Sequence, residues 1–96
     1  MQISIRYFTT LREITGKKEE KLCIENQKFT IASTLNILSV KYGKPFINYV
    51  FDISEMHVKK FLQLLINGAN IDTLNGQETL LQDGDVLAIL PPVGGG

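Results

Sequence analysis

Val86-Leu87-Ala88-Ile89-Leu90 is apolar at every position and runs directly into Pro91-Pro92-Val93-Gly94-Gly95-Gly96. A strand with no polar side has two places to lie. It is either central in a sheet and covered on each face, or half-exposed where a partner covers it. The prolines must end that strand, because neither has an N–H for the ladder and both favour an extended course away from the body. The glycines bury nothing and lose the most entropy on ordering, so they are a poor way to finish a fold. They suit a channel too narrow for side chains. A frayed chain end is the bland alternative for glycines alone. Their direct join to a buried strand through Leu90-Pro91-Pro92-Val93 argues for use.

The chain before that strand has readable punctuation. Met1, Ile3, Ile5 and Tyr7 alternate with Gln2, Ser4 and Arg6, the period of a strand with one buried face. Phe8 breaks the alternation. Residues 9–14 predict one short helical turn, capped by Thr9 or Thr10 and ended by Gly16. Residues 17–21 alternate in charge and read as a solvated loop. Residues 21–25 read as a second strand, with Leu22 and Ile24 on one face and Cys23 on the other. Phe29-Thr30-Ile31-Ala32-Ser33 has the form of a staple, cap and first turn. Ile31, Leu35, Leu38 and Tyr42 then make one apolar helical stripe, ended by Gly43 and Pro45. Residues 46–51 predict a short helix or turn on the core rim, and residues 52–55 a loop. The apolar run 61–66 ends at Asn67-Gly68, a type I′ hairpin signal, with residues 69–71 as the return strand. Asn75-Gly76 and Gln82-Asp83-Gly84-Asp85 mark further turns. Two strands, a crossover helix, a hairpin and a final strand predict an α+β domain: a small mixed sheet with one main helix across one face.

Ninety-six residues hold one core. Ten basic residues balance ten acidic ones, so no charge bias points to nucleic acid or a membrane surface. No apolar run is long enough to span a bilayer, and Met1-Gln2-Ile3-Ser4 opens a strand rather than a signal peptide. The single cysteine, Cys23, cannot form an internal disulfide and fits a reducing, cytoplasmic setting. It reads as a small buried or edge hydrophobe rather than a reactive thiol. One cysteine cannot hold a [2Fe–2S] cluster, and with the lone His57 it cannot make an ordinary zinc site. His57 reads as a surface histidine, and Asp83 and Asp85 as turn residues about Gly84. No metal or bound cofactor is expected, and no catalytic constellation is present. The remaining reactive group is the Gly96 α-carboxylate. It is ionised at neutral pH, with a reference pKa of about 3.5, so another protein would have to activate it.

The ending Leu90-Pro91-Pro92-Val93-Gly94-Gly95-Gly96 resembles the Phe-Pro-Pro-Val-x-Gly-Gly end of the MoaD family, the small sulfur carriers of molybdopterin synthesis. That group is related to ThiS, to ubiquitin-related modifiers and to small archaeal modifier proteins. Ile5-Arg6-Tyr7-Phe8 with Leu11-Arg12-Glu13-Ile14-Thr15-Gly16-Lys17, then Asn67-Gly68, then Leu81-Gln82-Asp83-Gly84-Asp85-Val86, resemble further family signatures in the family's order. The match departs at Leu90, where an aromatic is common, and at Gly94, where another small residue is usual. The resemblance implies a β-grasp, or ubiquitin-like, domain over residues 1–96. Its last strand would lie parallel to its first, and residues 91–96 would form a flexible reactive tail. It implies that the protein is not an enzyme by itself. An E1-like, MoeB-like partner would use ATP to adenylate Gly96, and a sulfur donor would make the thiocarboxylate. A MoaE-like molybdopterin synthase large subunit would receive the tail. Gly95 and Gly96 match the reactive diglycine. Phe8, Leu90, Pro91, Pro92, Val93 and Gly94 match binding positions, and Tyr7 matches another apolar contact. The leading expectation is therefore the small subunit of molybdopterin synthase. The alternatives are a modifier joined to target lysines, a carrier for tRNA thiolation or thiamine synthesis, and a binding module with an inert tail.

Overall fold

The computed structural model describes residues 1–25, 28–52, 54 and 57–92. Strand β1 (Gln2–Tyr7) is followed by α1 (Thr10–Thr15), β2 (Glu19–Cys23), α2 (Ile31–Tyr42) and α3 (Lys44–Val50). Two short strands, β3 (Phe51–Asp52) and β4 (His57–Val58), pair with each other. Then come β5 (Gln63–Ile66), β6 (Ala69–Asn70) and, after two single 3-10 turns, β7 (Val86–Leu90). The main sheet has the order β2-β1-β7-β5-β6. Strand β7 is parallel to β1 and antiparallel to β5, so its backbone is hydrogen-bonded on both sides at the sheet centre. Tyr7 lies opposite Ile89 and Ile5 opposite Leu87, while Leu64 and Ile66 continue the same rows from β5. These side chains are buried beneath α2, which contributes Ile31, Leu35 and Leu38. Each such Leu or Ile contributes about 1.5–3 kcal/mol on leaving water. This is the β-grasp arrangement, in which the sheet wraps the helix. No helix among the described residues is long and apolar enough to cross a membrane.

Local chemistry sets the main elements. Thr30 caps α2: its side-chain oxygen accepts the Ser33 N–H at 3.1 Å. Gly43 ends the helix at φ 72°. Asn67 (φ 50°) and Gly68 (φ 87°) both take the positive φ that a type I′ turn requires.

Several expectations are corrected. Neither Thr9 nor Thr10 caps α1 with its side chain. Thr9 instead takes a sharp backbone bend at φ 45°, and the turn closes through Leu11 N–H to the Phe8 carbonyl and Arg12 N–H to the Thr9 carbonyl. Lys17 and Lys18 form an exposed connection as expected, but Glu19–Lys21 belong to the second strand, which runs over Glu19–Cys23 rather than residues 21–25. The period of two that turns Leu22 inward also turns Glu20 inward, where the residue is 8% exposed. Burial is tolerated because four donors reach its carboxylate. These are the Tyr7 and Tyr42 hydroxyls at 2.5 Å each, Lys41 Nζ at 2.6 Å and Lys17 Nζ at 3.3 Å. Pro45 does not merely stop α2; it occupies the first turn of α3, where its missing N–H costs nothing. Phe46 and Val50, one helical turn apart, enter the core proper rather than its rim. Asp52 belongs to a strand, and the return strand of the hairpin ends at Asn70 before a 3-10 turn begins.

Candidate functional site

The ladder around β7 stops at Leu90. Its last pairs are Tyr7 with Ile89 on one side and Gln63 with Leu90 on the other. Pro91 and Pro92 then provide no N–H for continuation. Pro91 is half-buried and Pro92 exposed. The remaining tail positions proposed from sequence, Val93, Gly94, Gly95 and Gly96, lie outside the described residues. The tail therefore begins at a strand tied on both edges, so the direction of its first residues is set by the sheet.

The neighbouring strand end carries Phe8, which follows Tyr7 just as Leu90 follows Ile89. Phe8 and Leu90 thus leave adjacent strands at the same end of the sheet, and both are half-buried. Arg12 secures this corner. Its Nε donates to the Tyr7 carbonyl at 2.9 Å, and its guanidinium carbon lies 5.4 Å from the Phe8 ring centre. Tyr7 itself, matched by resemblance to a partner contact, is wholly buried and faces α2. It cannot touch a partner, because the alternation that makes β1 a strand turns residue 7 inward.

On the outer face of the sheet, Val86, Ala88 and Leu90 form a half-exposed stripe along β7. Leu65 of β5 lies opposite Ala88 and widens it, while Arg6 opposite Ala88 and Gln63 opposite Leu90 give it polar margins. Arg6 in turn pairs with Glu19 at 3.6 Å. The all-apolar strand is thus central but covered on one face only: Leu87 and Ile89 lie under the helix, and the alternate residues are half-exposed on the outer face. Sequence reasoning singled out Leu90 but missed Val86, Ala88, Leu65 and Arg12. Alternation within residues 61–66 could have assigned Leu65 to the face opposite Leu64. Nothing local could have shown that it borders Ala88.

The other polar groups serve the fold. Asp85 accepts from the Asn67 side-chain amide at 2.9 Å and from the Gln82 N–H at 2.8 Å. Asn67 returns its oxygen to the Val86 N–H at 2.9 Å. Asp83 accepts the Gln2 N–H at 2.6 Å. His57 is half-buried in β4, with Nδ1 3.0 Å from the Val58 carbonyl. Cys23 is exposed on β2. Among the described residues no group of three or more His, Cys, Asp or Glu could hold a metal ion. Burial by itself would raise the Glu20 carboxyl. The bonds from Lys41, Tyr42, Tyr7 and Lys17 outweigh it and hold the carboxyl at about 2. Tyr7 and Tyr42 are both pushed up, first by burial and then by donating to Glu20. This cluster closes the edge of the core, where Glu20 is 8% exposed.

Comparison with known proteins agrees with this geometry. The ThiS family model matches residues 5–96. The chain is 31% identical to small archaeal modifier protein 3 of Haloferax volcanii over 96 residues, covering 100% of both chains. Small archaeal modifier protein 1 from Methanosarcina acetivorans superposes with a TM-score of 0.81 at 36% identity, covering 99% of this chain and 96% of that one. A chain of the BexX/CysO complex of Amycolatopsis orientalis gives a TM-score of 0.75 at 25% identity, covering 98% of this chain and 99% of its own. With its diglycine ending carried on a central β-grasp strand, the chain belongs to the ThiS family of ubiquitin-like sulfur carriers and small archaeal modifier proteins.

Proposed function

We propose that this protein is a ubiquitin-like modifier of the cytoplasm that acts through the α-carboxylate of Gly96. The observation that carries the reading is its full-length similarity to proteins named as small archaeal modifiers. An E1-like enzyme binds the outer sheet face, with Leu90 and Phe8 beside the tail root and Val86, Ala88 and Leu65 behind them. The carboxylate attacks the α-phosphorus of ATP, expels pyrophosphate and becomes an acyl-adenylate. A target lysine amine then displaces AMP and forms an isopeptide bond. The ATP belongs to the activating partner, and the chain supplies the tail, its direction and the docking face.

Sulfur transfer is the second reading, favoured by the Leu90-Pro91-Pro92-Val93-Gly94-Gly95-Gly96 ending. Here a sulfur nucleophile displaces AMP in place of the lysine, leaving a thiocarboxylate for an acceptor enzyme. Service as the small subunit of molybdopterin synthase, with MoeB-like and MoaE-like partners, is one form of it. One experiment separates the readings. The chain is incubated with its activating enzyme and ATP, with and without a sulfur donor, and intact masses and conjugates are recorded. A ladder of lysine conjugates supports the modifier, and exchange of one oxygen for sulfur supports the carrier. An unchanged mass with no conjugates refutes both.

A further inference from the structure

Strand β2 is an edge of the main sheet, and its inner bonds determine what the open side offers. Ile24 N–H donates to the Met1 carbonyl at 2.7 Å, and the Met1 amino group donates to the Ile24 carbonyl at 2.7 Å. Tyr7 N–H donates to the Lys18 carbonyl at 2.9 Å. Even-numbered residues of this strand therefore bond to β1. In an antiparallel ladder Lys21 and Cys23 must then direct their N–H and C=O groups outward, and Glu25, which follows β2 just past Ile24, continues that open side when the pairing extends to it. All three residues are exposed.

We infer that two copies of this chain pair edge to edge through β2, antiparallel, about a twofold axis at Cys23. The register follows from charge. Placing Lys21 opposite the partner's Lys21 opposes like charges, and placing it opposite the partner's Cys23 sets Glu19 against the partner's Glu25. With Cys23 opposite the partner's Cys23, Lys21 lies against the partner's Glu25 and Glu25 against the partner's Lys21. Leu22 then lies beside the partner's Ile24 on the inner face. In that register every outward N–H and C=O of residues 21, 23 and 25 has a partner, which removes an unpaired edge. The axis lies beside Gln2, which pairs with Cys23, whereas the tail leaves beyond Leu90 at the Tyr7 end. Pairing thus joins two sheets into one while the tail roots and outer faces stay open at opposite ends.

An interface below about 1,200 Å² is of the weak class, so association is sought by sedimentation equilibrium of the full chain at up to about 1 mM and low salt. Wild type and Cys23→Ser should both dimerise, because the thiol is not needed. Lys21→Glu and Glu25→Lys, each opposing like charges across the axis, should weaken association by about tenfold or more. The double variant, which restores opposite charges, should recover it. A short bismaleimide should also link wild-type chains through Cys23 far faster than chains of Cys23→Ser carrying Thr73→Cys. Amide spectra unchanged beyond residues 19–25 would show that the single variants remain folded. A monomer throughout this concentration range, single reversals without effect, or a double variant no better than the singles would overturn the proposal.

Discussion

Replacing Glu20 by glutamine tests the least expected feature of the core. The substitution keeps the volume and one acceptor oxygen, but removes the charge on which Tyr7, Tyr42, Lys41 and Lys17 converge. The carboxyl is displaced from an ordinary value of 4.5 to about 2. That displacement corresponds to about 3 kcal/mol of folding free energy. Bonds to a charged group contribute about 1.5–3 kcal/mol each, so four of them would exceed this figure. The difference is the cost of desolvating the carboxylate, which largely offsets them. Because the folded carboxyl titrates below the unfolded one, its stabilisation is fully present above about pH 4.5. It is lost as the pH falls from there towards about 2. Urea unfolding should therefore show Glu20→Gln less stable by about 3 kcal/mol at neutral pH, with Tm lower by roughly 15 °C. The gap should close as wild type is acidified, since the protonated Glu20 side chain and the glutamine that replaces it are then alike in charge. A gap below about 1 kcal/mol at neutral pH, or one that stays constant down to about pH 2, would refute the reasoning.

Leu90→Asp should lower affinity for the activating enzyme by about tenfold or more while costing under about 1 kcal/mol of stability; titration calorimetry beside urea unfolding checks both, and unchanged affinity counts against the docking face. Thr30→Ala should cost about 1 kcal/mol by leaving the Ser33 N–H without its cap, and Thr30→Ser should restore it. Gly68→Ala meets no atom within 4 Å of its new Cβ, so its cost is backbone strain alone, about 1–2 kcal/mol at φ 87°; a loss several times larger would mean that the hairpin rearranges. Deleting Gly96 should abolish conjugate and thiocarboxylate formation without changing stability, because the new end falls about 3.3 Å short of the reacting position. Gly94→Ala should keep most activity and Gly95→Ala should lose much of it; equal damage from the two, or a fully active deletion, would defeat the idea of a tail held in register.

Strand β1, the capped helix α2, the type I′ turn and the all-apolar β7 were legible because each is written in local chemistry. Alternation, a threonine cap, an Asn-Gly pair and a proline stop act over a few residues and need no knowledge of the rest of the chain. The Pro-Pro stop and the glycine ending are equally local, as is their resemblance to a family of carriers and modifiers. The buried Glu20 was not. A charged residue within Lys17-Lys18-Glu19-Glu20-Lys21 looks solvated until Tyr7, Tyr42 and Lys41, distant in sequence, are brought to it. Tyr7 was misassigned to the partner surface because a motif match does not say which face of a strand a residue occupies. The outer stripe shows the same division. The apolar character of Val86, Ala88, Leu90 and Leu65 is in the sequence, but their assembly into one surface depends on the parallel pairing of β1 with β7 and the antiparallel pairing of β5 with β7. Sequence alone determined strands β1 and β7, the capped helix α2 and the hairpin turn, because those preferences are short-range. Only the tertiary structure decided which side chains share a face and which charge is buried, because pairing register and the convergence of donors are long-range.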